Sequence, residues 1–249
     1  MAKDGIVVVA GMGEVGRPLS RILSRQYECV GVDVQPVEIT KPCSVLHLCF
    51  PFQIPDFVGT AARYVLKYQP ALTIINSTIA PGTTRKVQEA VGEFGVAYSP
   101  VRGKHARMDA DMLRYKKFVA STRPEVMEMA LDHFSAAGFK TGIFRTPELA
   151  EVAKLLETTY LGILIGWAQE VDRIAARYGG DFKDVNAFIE EIAFLPAGVY
   201  PGHIGGHCVM PNIRILQSQI QSDFLDAVVR SNQLVEERQT LEATAEVTK

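Results

Sequence analysis

Residues 6–33 read IVVVAGMGEVGRPLSRILSRQYECVGVD, and this stretch decides the fold. Its first five residues, Ile6–Ala10, are all apolar, as is typical of a strand that is buried on both faces of a sheet. Glycines at 11, 13 and 16 follow at once and lead into a helical pattern. A second apolar run over 29–34 has Asp33 near its end. This order of strand, glycine loop, helix, strand and acid predicts the first half of a Rossmann-type unit.

The glycine loop has the spacing GxGxxG in the setting that this motif requires. Glycines let the backbone turn and approach a pyrophosphate, which lies against the helix N-terminus. A carboxylate at Asp33 would bind the adenosine ribose and repel a 2′-phosphate, so we expect NAD rather than NADP. A glycine-rich turn with a surface aspartate is the alternative interpretation. The predicted cofactor-binding residues here are Gly11, Met12, Gly13, Glu14, Val15, Gly16 and Asp33.

The first half of the chain continues to alternate between strand and helix patterns. Short runs rich in Val, Ile and Leu predict three more strands, and amphipathic stretches predict four helices. The strands are expected at 45–50, 72–76 and 96–99, and the helices at 15–26, 56–69, 82–93 and 124–138. Pro36 and Pro42 make a helix between the second and third strands unfavourable, so we expect a loop there. The pattern predicts an α/β fold with a doubly wound parallel sheet.

The second half of the chain is expected to be helical. A long apolar-periodic pattern over 147–178 starts with Thr146 as cap and Pro147 in the first turn. A helix from Asp181, a loop at 196–212 and a helix at 213–238 follow. We therefore expect a Rossmann-type domain at 1–146 and a helical domain at 147–249 that serves dimerisation or substrate binding.

Composition excludes several classes of partner. The 249 residues have a formal net charge of −2, so no general field attracts nucleic acid or acidic membranes. The longest strongly apolar stretch, 161–168, is too short to cross a bilayer. No CxxC pair occurs, and Cys29, Cys43 and Cys49 are expected to be reduced core residues. The first residues show no leader pattern, and we expect a cytoplasmic protein.

Three further segments resemble one family, the UDP-glucose/GDP-mannose dehydrogenases. The segment 77–84, STIAPGTT, is similar to the turn after the fourth strand in that family. The segment 148–160, ELAEVAKLLETTY, resembles its helix with a catalytic lysine, and 200–208, YPGHIGGHC, resembles its loop with a catalytic cysteine. The similarity extends over most of 5–235 and includes the central helix by which the family dimerises. The family's C-terminal nucleotide-binding domain has no counterpart, so we expect a truncated relative that forms homodimers.

The resemblance implies an NAD-dependent oxidation of an alcohol, with the aldehyde captured by a thiol. Cys208 would be the nucleophile, Lys154 the general acid/base or oxyanion partner, and Thr78 a polar contact near the reacting carbon. Ser77 and Thr78 would also contact the cofactor. A thiol adds readily to a carbonyl, and a nearby cation favours its reactive form. The glycines Gly205 and Gly206 would let the backbone approach the substrate.

Three positions depart from the family pattern. Val101 replaces the glutamate of Ser-Pro-Glu-Arg, which the family uses to hydrolyse the thioester. Thr158 replaces an asparagine four residues after the lysine, and Asn212 replaces an aspartate four residues after the cysteine. Thr158 and Asn212 are predicted to contact the substrate, with helix-surface or capping roles as the alternative.

Each candidate also has a structural interpretation. Lys154 would be a surface lysine whose stem lies along its helix, and Cys208 an inert thiol. His203 and His207 flank Cys208 at a spacing that suits a metal, but no fourth ligand is nearby, so no metal is predicted. We expect both histidines to orient the substrate or polarise the thiol.

A basic run follows the fifth predicted strand. Six Lys or Arg and two Asp occur between residues 102 and 117. A solvated loop is one explanation. The other is that Arg102, Lys104 and His105 bind a small anionic substrate at the carboxyl ends of the strands.

Taken together, these patterns predict an NAD-dependent oxidoreductase that acts on an alcohol or aldehyde carbon of a small anionic or sugar-derived substrate. Two alternatives stay open. One is a two-electron β-hydroxyacid-type dehydrogenase that uses Lys154 alone. The other is a non-catalytic NAD-binding module.

Overall fold

A computed structural model describes residues 5–35, 37–193, 195–196, 198–206 and 208–247, without the side chains of His105 and of 242–247. The predicted sites at His105 and His207 therefore lie outside what the structure describes, apart from the backbone at His105. The chain divides into two compact units, residues 1–154 and 155–249, called here the N-terminal and C-terminal units. The predicted domain boundary at 146 stays a prediction.

The N-terminal unit alternates strands and helices. Its strands are β1 (Ile6–Ala10), β2 (Cys29–Val32), β3 (Cys43–Leu48), β4 (Leu72–Ile75), β5 (Val96–Tyr98), β6 (Lys117–Ser121) and β7 (Thr141–Ile143). Its helices are α1 (Gly16–Leu23), α2 (Phe57–Tyr68), α3 (Thr83–Val91), α4 (Met108–Arg114) and α5 (Pro124–Ala136), with a 3-10 turn at His105–Arg107. The predicted α/β fold is confirmed. The strands β6 and β7 and the helix α4 were not predicted.

One seven-stranded sheet has the order β2-β1-β3-β4-β5-β6-β7. Strands β1 to β5 are parallel, whereas β6 runs antiparallel to β5. The first residue of β6, Lys117, therefore lies at the edge where the parallel strands end. Apolar clusters pack on both faces of the sheet, one around Leu46 and Tyr98 and the other around Leu19 and Phe134. Burial on both faces explains the continuous apolar runs of the strands.

The remaining helices begin with α6 (Pro147–Arg177), which passes through the boundary between the units. The C-terminal unit adds α7 (Phe182–Glu190), α8 (Val209–Gln217) and α9 (Asp223–Val247). Its core gathers around Leu155, Ile213 and Val228. No helix in the described residues has the length and apolar content to cross a membrane.

The prediction of a single helix at 213–238 is wrong. Two helices, α8 and α9, are separated at 218–222, and α8 starts inside the expected loop 196–212. Pro211 does not prevent this start, because the first turn of a helix needs no backbone N–H from it. The Oγ of Ser222 then accepts the backbone N–H of Leu225 and starts α9 as a separate helix.

Candidate functional site

The glycine loop between β1 and α1 has the geometry of a phosphate cradle. Gly11 has φ +92°, and a Cβ there would meet the backbone N of Phe50 at 2.7 Å. A Cβ on Gly16 would lie 1.9 Å from the carbonyl oxygen of Gly11, so the loop is closed on itself. By contrast, a Cβ on Gly13 would enter open space. That space in front of the N-terminus of α1 fits a pyrophosphate.

Asp33 closes this loop onto the end of β2. Its Oδ2 accepts the backbone N–H of Met12 at 2.8 Å, and its Oδ1 accepts that of Val34 at 2.9 Å. These bonds hold the carboxylate beside the loop, and the side chain stays exposed. Asp33 is therefore placed where the hydroxyl groups of an adenosine ribose could donate to its carboxylate.

A pocket of about 240 Å³ lies next to Asp33. Half-buried Tyr64 and Tyr68 from α2 line it together with Val34, whose side chain is 95% exposed. Flat aromatic and apolar walls beside a carboxylate fit an adenine and its ribose. The glycine loop and this pocket together fit an NAD-type dinucleotide. The signal for the pocket in the sequence was the pair of tyrosines one helical turn apart on α2.

Ser77 and Thr78 follow β4 at the same edge of the sheet. The Oγ of Ser77, which is buried, donates to the carbonyl oxygen of Phe50 at 2.6 Å, while Thr78 is half-buried. The turn continues to Gly82 and the first residues of α3. Ser77 therefore ties this turn to the segment after β3, and its predicted cofactor contact stays a prediction.

Glu151 fixes that turn, and sequence reasoning missed it. Its carboxylate is fully buried and accepts the backbone N–H of Gly82 at 2.6 Å and that of Thr84 at 2.8 Å. The hydroxyl of Thr84 donates to the same carboxylate at 2.6 Å. Burial raises the pKa of Glu151, while the three donors act against that rise. Glu151 stands three residues before Lys154 in ELAEVAK, so one helical turn carries both.

Lys117 is the second residue that the sequence did not reveal. It is 4% exposed, and its Nζ donates to the carbonyl oxygens of Ser99 at 2.7 Å and Pro100 at 3.2 Å and to Oδ1 of Asn76 at 3.1 Å. Burial lowers the pKa of Lys117 to about 7; the Cys49 thiol opposes this shift, and the cationic Arg102 and Lys154 add to it.

Geometry favours the charged form of Lys117. Its three oxygen acceptors match the three N–H donors of an ammonium group, whereas a neutral amine has two. The Nζ also lies 5.1 Å from the centre of the Phe134 ring, an arrangement that suits a cation. Lys117 is thus held as a buried cation at the carboxyl edge, with Lys154 among the charges that act on it.

A buried chain of hydrogen bonds runs on from Lys117. A lysine can only donate, so Oδ1 of Asn76 faces it and Nδ2 donates to Nδ1 of His47 at 3.1 Å. The proton of His47 is then on Nε2, which lies 2.9 Å from Nε2 of His133. His133 accepts there and has its own proton on Nδ1, which is buried without a hydrogen-bond partner in the described part of the chain. Every N–H donor in this series of hydrogen bonds points away from Lys117, and the positive charge of Lys117 favours that orientation.

The basic run is engaged in local contacts. Arg102 donates to the carbonyl oxygen of Lys116 and lies over the rings of Tyr115 and Phe118. The backbone N–H of Lys104 donates to Asp111, which also pairs with Arg107. Lys104 keeps an exposed side chain. The contacts of Arg102 fit a structural role as well as an anion-binding one.

Cys208 immediately precedes α8 and is exposed, in contrast to the other three cysteines. The N-terminus of a helix favours negative charge, and the thiolate is the nucleophilic form of cysteine. Burial raises the pKa of Cys29, that of Cys43 to about 11 and that of Cys49 to about 12, which disfavours the thiolate form of these three residues.

The loop before Cys208 is anchored to the helices of the C-terminal unit. Gln169 donates to the carbonyl oxygen of Gly202 at 2.6 Å, and Asn232 accepts the backbone N–H of Ile204 at 2.7 Å. Nε2 of His203 lies 2.7 Å from the Glu236 carboxylate, so this histidine is positioned by α9. Gly205 and Gly206 are exposed. The two predicted substrate residues Thr158 and Asn212 contact each other, with Nδ2 of Asn212 donating to Oγ1 of Thr158.

The comparisons with known proteins agree with this architecture. Residues 148–234 match the central domain of the UDP-glucose/GDP-mannose dehydrogenase family. This part of the chain is similar to that domain, and the chain spans less than two thirds of the length of the relatives that it matches. The chain is 30% identical over 244 residues to the UDP-N-acetyl-D-mannosamine dehydrogenase of Pyrococcus horikoshii, covering 90% of this chain and 57% of the relative.

Solved structures share the fold. The UDP-D-ManNAc dehydrogenase of P. horikoshii has a TM-score of 0.82 at 19% identity, covering 96% of this chain and 70% of that one. The 3-hydroxyisobutyrate dehydrogenase of Mycobacterium tuberculosis has a TM-score of 0.69 at 15% identity, covering 95% of this chain and 94% of that one. At these identities the likeness concerns the fold alone.

Proposed function

We propose that this chain is an NAD-dependent dehydrogenase that oxidises an alcohol or aldehyde carbon of a small anionic or sugar-derived substrate. The observation that carries the proposal is the match of 148–234, which contain Lys154 and Cys208, to the central domain of a dehydrogenase family. The glycine loop tied to Asp33 supports the choice of NAD. The nucleotide would supply a hydride acceptor. A cytoplasmic location is part of the proposal.

The residues of this chain would divide the chemistry. Lys154 would take the proton from the alcohol oxygen as the carbon loses a hydride. Cys208 would then add through sulfur to the aldehyde carbon, and the proton of the thiol would go to the aldehyde oxygen. The thiohemiacetal so formed is the species that a second oxidation turns into a thioester. The predicted anion contacts at Arg102 and Lys104 would hold the substrate.

The second candidate is a two-electron dehydrogenase of the β-hydroxyacid type, in which Lys154 acts alone. One observation favours it. Val101 is 6% exposed and packs in the apolar cluster of one sheet face, so this position offers no carboxylate that could activate a water. Thioester hydrolysis would then need another base, and losing a positioned base costs about a hundredfold in rate.

Two experiments test the proposal. Calorimetric titration with NAD⁺ measures cofactor binding without any substrate, and a chain that binds none argues for a protein that is no dehydrogenase. Turnover is then assayed with UDP-N-acetylmannosamine, UDP-glucose and 3-hydroxyisobutyrate, using the wild type, Cys208→Ser and Lys154→Met. We expect loss of turnover in Lys154→Met. A covalent substrate adduct seen by intact-mass spectrometry in the wild type and absent from Cys208→Ser supports the thiol route, whereas full turnover by Cys208→Ser supports the lysine-only route.

We also propose a homodimer formed through α6 and the C-terminal helices. An apolar groove of about 560 Å³ lies between α6 and α9 within the C-terminal unit. Two of the side chains that line it, Trp167 and Phe224, are 58% and 62% exposed. Apolar surface of this kind is typical of a protein interface, and a second copy of the chain is the partner that we propose for it.

A further inference from the structure

The pocket beside Asp33 contains more positive than negative charge. Its lining includes Arg63 and Lys67 on α2, one helical turn apart, and both side chains are exposed. Asp33 is the acidic residue in that lining. An acid at the end of the second strand is the usual reason to expect rejection of a 2′-phosphate, whereas a nearby arginine accommodates it. This pocket contains both kinds of residue.

The contacts of each charged group indicate how they would share a ligand. Both carboxylate oxygens of Asp33 already accept backbone N–H groups, which partly neutralises its charge toward the pocket. Arg63 pairs with Asp56 at 3.9 Å, and both side chains are about two-thirds exposed, so this ion pair is weak. Lys67 lies 5.0 Å from the centre of the Tyr68 ring. Within the part of the chain that the structure describes, neither cation has a hydrogen bond to a carboxylate.

The pKa of Tyr64 depends on the charged groups around the pocket. Burial raises its pKa, with smaller effects from Tyr68 and Asp33 in the same direction and from Lys67 in the opposite one. The charges of Asp33 and Lys67 therefore both act on this phenol, which lines the same pocket.

We infer that Arg63 and Lys67 form a phosphate subsite beside Asp33 that accepts the 2′-phosphate of NADP. This inference rests on the proposed dinucleotide site. A phosphate monoester carries close to two negative charges at neutral pH, which two cations and one backbone-bonded carboxylate can accommodate. Asp33 would still accept hydrogen bonds from the ribose hydroxyls of NAD. The chain would therefore bind both cofactors, with a preference set by the balance between α2 and Asp33.

The test is calorimetry on the full chain without substrate, using four probes: NAD⁺, NADP⁺, 5′-AMP and 2′,5′-ADP. The variants are Arg63→Ala, Lys67→Ala and the double variant, with Lys86→Ala on α3 as a control for loss of one surface charge. We expect the wild type to bind 2′,5′-ADP more tightly than 5′-AMP. The double variant should bind 2′,5′-ADP and NADP⁺ at least about tenfold more weakly, which corresponds to about 1.4 kcal/mol. Its affinity for NAD⁺ should stay within about twofold, and Lys86→Ala should resemble the wild type.

The outcomes separate the two proposals. Binding of NAD⁺ and 5′-AMP without any gain for 2′,5′-ADP overturns the phosphate subsite and leaves the NAD site intact. An unchanged affinity for NADP⁺ in the double variant also overturns it. Failure of all four probes to bind the wild type overturns the dinucleotide site itself and the subsite with it.

Discussion

Asn212 donates a hydrogen bond from Nδ2 to Oγ1 of Thr158 at 2.8 Å, and Thr158 in turn donates to the carbonyl oxygen of Leu155 at 3.0 Å. These are two of the three positions at which the chain departs from the family pattern, and they are in contact with each other. The two changed positions therefore share one hydrogen bond. Asn212 is 4% exposed, so its amide depends on this partner.

We predict that Thr158→Asn and Asn212→Asp are coupled. Asn212→Asp alone places a carboxylate in a buried site whose hydroxyl partner already donates elsewhere, and should lower the free energy of unfolding by about 1–3 kcal/mol. The double variant supplies an amide donor for that carboxylate, so part of the loss should be recovered. Urea unfolding of the four proteins gives a coupling energy, expected to be about 0.5–3 kcal/mol. Additive effects of the two substitutions would contradict the pairing.

Glu151→Gln should destabilise the N-terminal unit. The glutamine side chain has no charge and one oxygen acceptor in place of two. Its NH₂ group would therefore face a backbone N–H of Gly82 or Thr84, which is also a donor. We expect a loss of about 2–3 kcal/mol in urea unfolding. Glu148→Gln is the matched control on the same helix, because Glu148 pairs with Arg85 at the surface and should cost under about 1 kcal/mol. Equal losses from both variants would disprove the role of Glu151.

Acid should weaken the fold through His133. Burial lowers the pKa of His133 from 6.5 to about 4, so in that range the unfolded chain binds a proton that the folded chain does not. The free energy of unfolding should therefore fall as the pH falls from 6.5 to 4, by roughly 3 kcal/mol from this residue. His133→Phe should have a shallower dependence over the same window in urea unfolding at several pH values. A parallel dependence in both proteins would rule out His133 as the source.

Val101→Glu restores the residue of the family pattern and should cost stability. The Val101 side chain is buried among apolar residues, and a carboxylate there loses its water. We expect a loss of about 2–4 kcal/mol at neutral pH. Val101→Gln is the matched control, because it has the same shape without the charge. The deficit of the glutamate variant relative to the glutamine variant should shrink as the pH falls from neutral toward about 4, because burial raises the pKa of the carboxyl group and the folded protein takes up the proton first. A deficit that does not change with pH would mean that burial of the charge is not its cause.

Trp167→Glu should prevent the proposed dimer. The charge would lie in the apolar groove between α6 and α9, and burying it in an interface is unfavourable. Light scattering at micromolar concentration should give the mass of two chains for the wild type and of one chain for the variant. Leu66→Glu on α2 is the control, since Leu66 is also exposed, at 55%, but lies outside the groove. A wild type with the mass of one chain would disprove the dimer.

The sequence predicted the parallel part of the sheet because each of its strands is a short, mainly apolar run. It did not predict β6, because Lys117 begins that strand and two lysines precede Phe118, a pattern typical of a surface turn. Glu151 was missed for a similar reason, since its carboxylate meets residues almost seventy positions away. Local patterns predict elements and motifs, whereas buried polar contacts between distant elements require the folded chain. The break at 218–222 was missed because two amphipathic helices in succession have the same apolar period as one.

Strand β6 runs antiparallel to β5, so the number of residues between the two strands sets which residue of β6 faces Asn76. A strand that slips by one residue exchanges the two faces of the sheet, so Lys116 or Phe118 would take the place of Lys117. A deletion or insertion between Ser99 and Lys116 that shifted the strand would remove the ammonium group of Lys117 from Asn76 and from the carbonyl oxygens of Ser99 and Pro100. The number of residues between β5 and β6 is therefore constrained, independently of which residues they are.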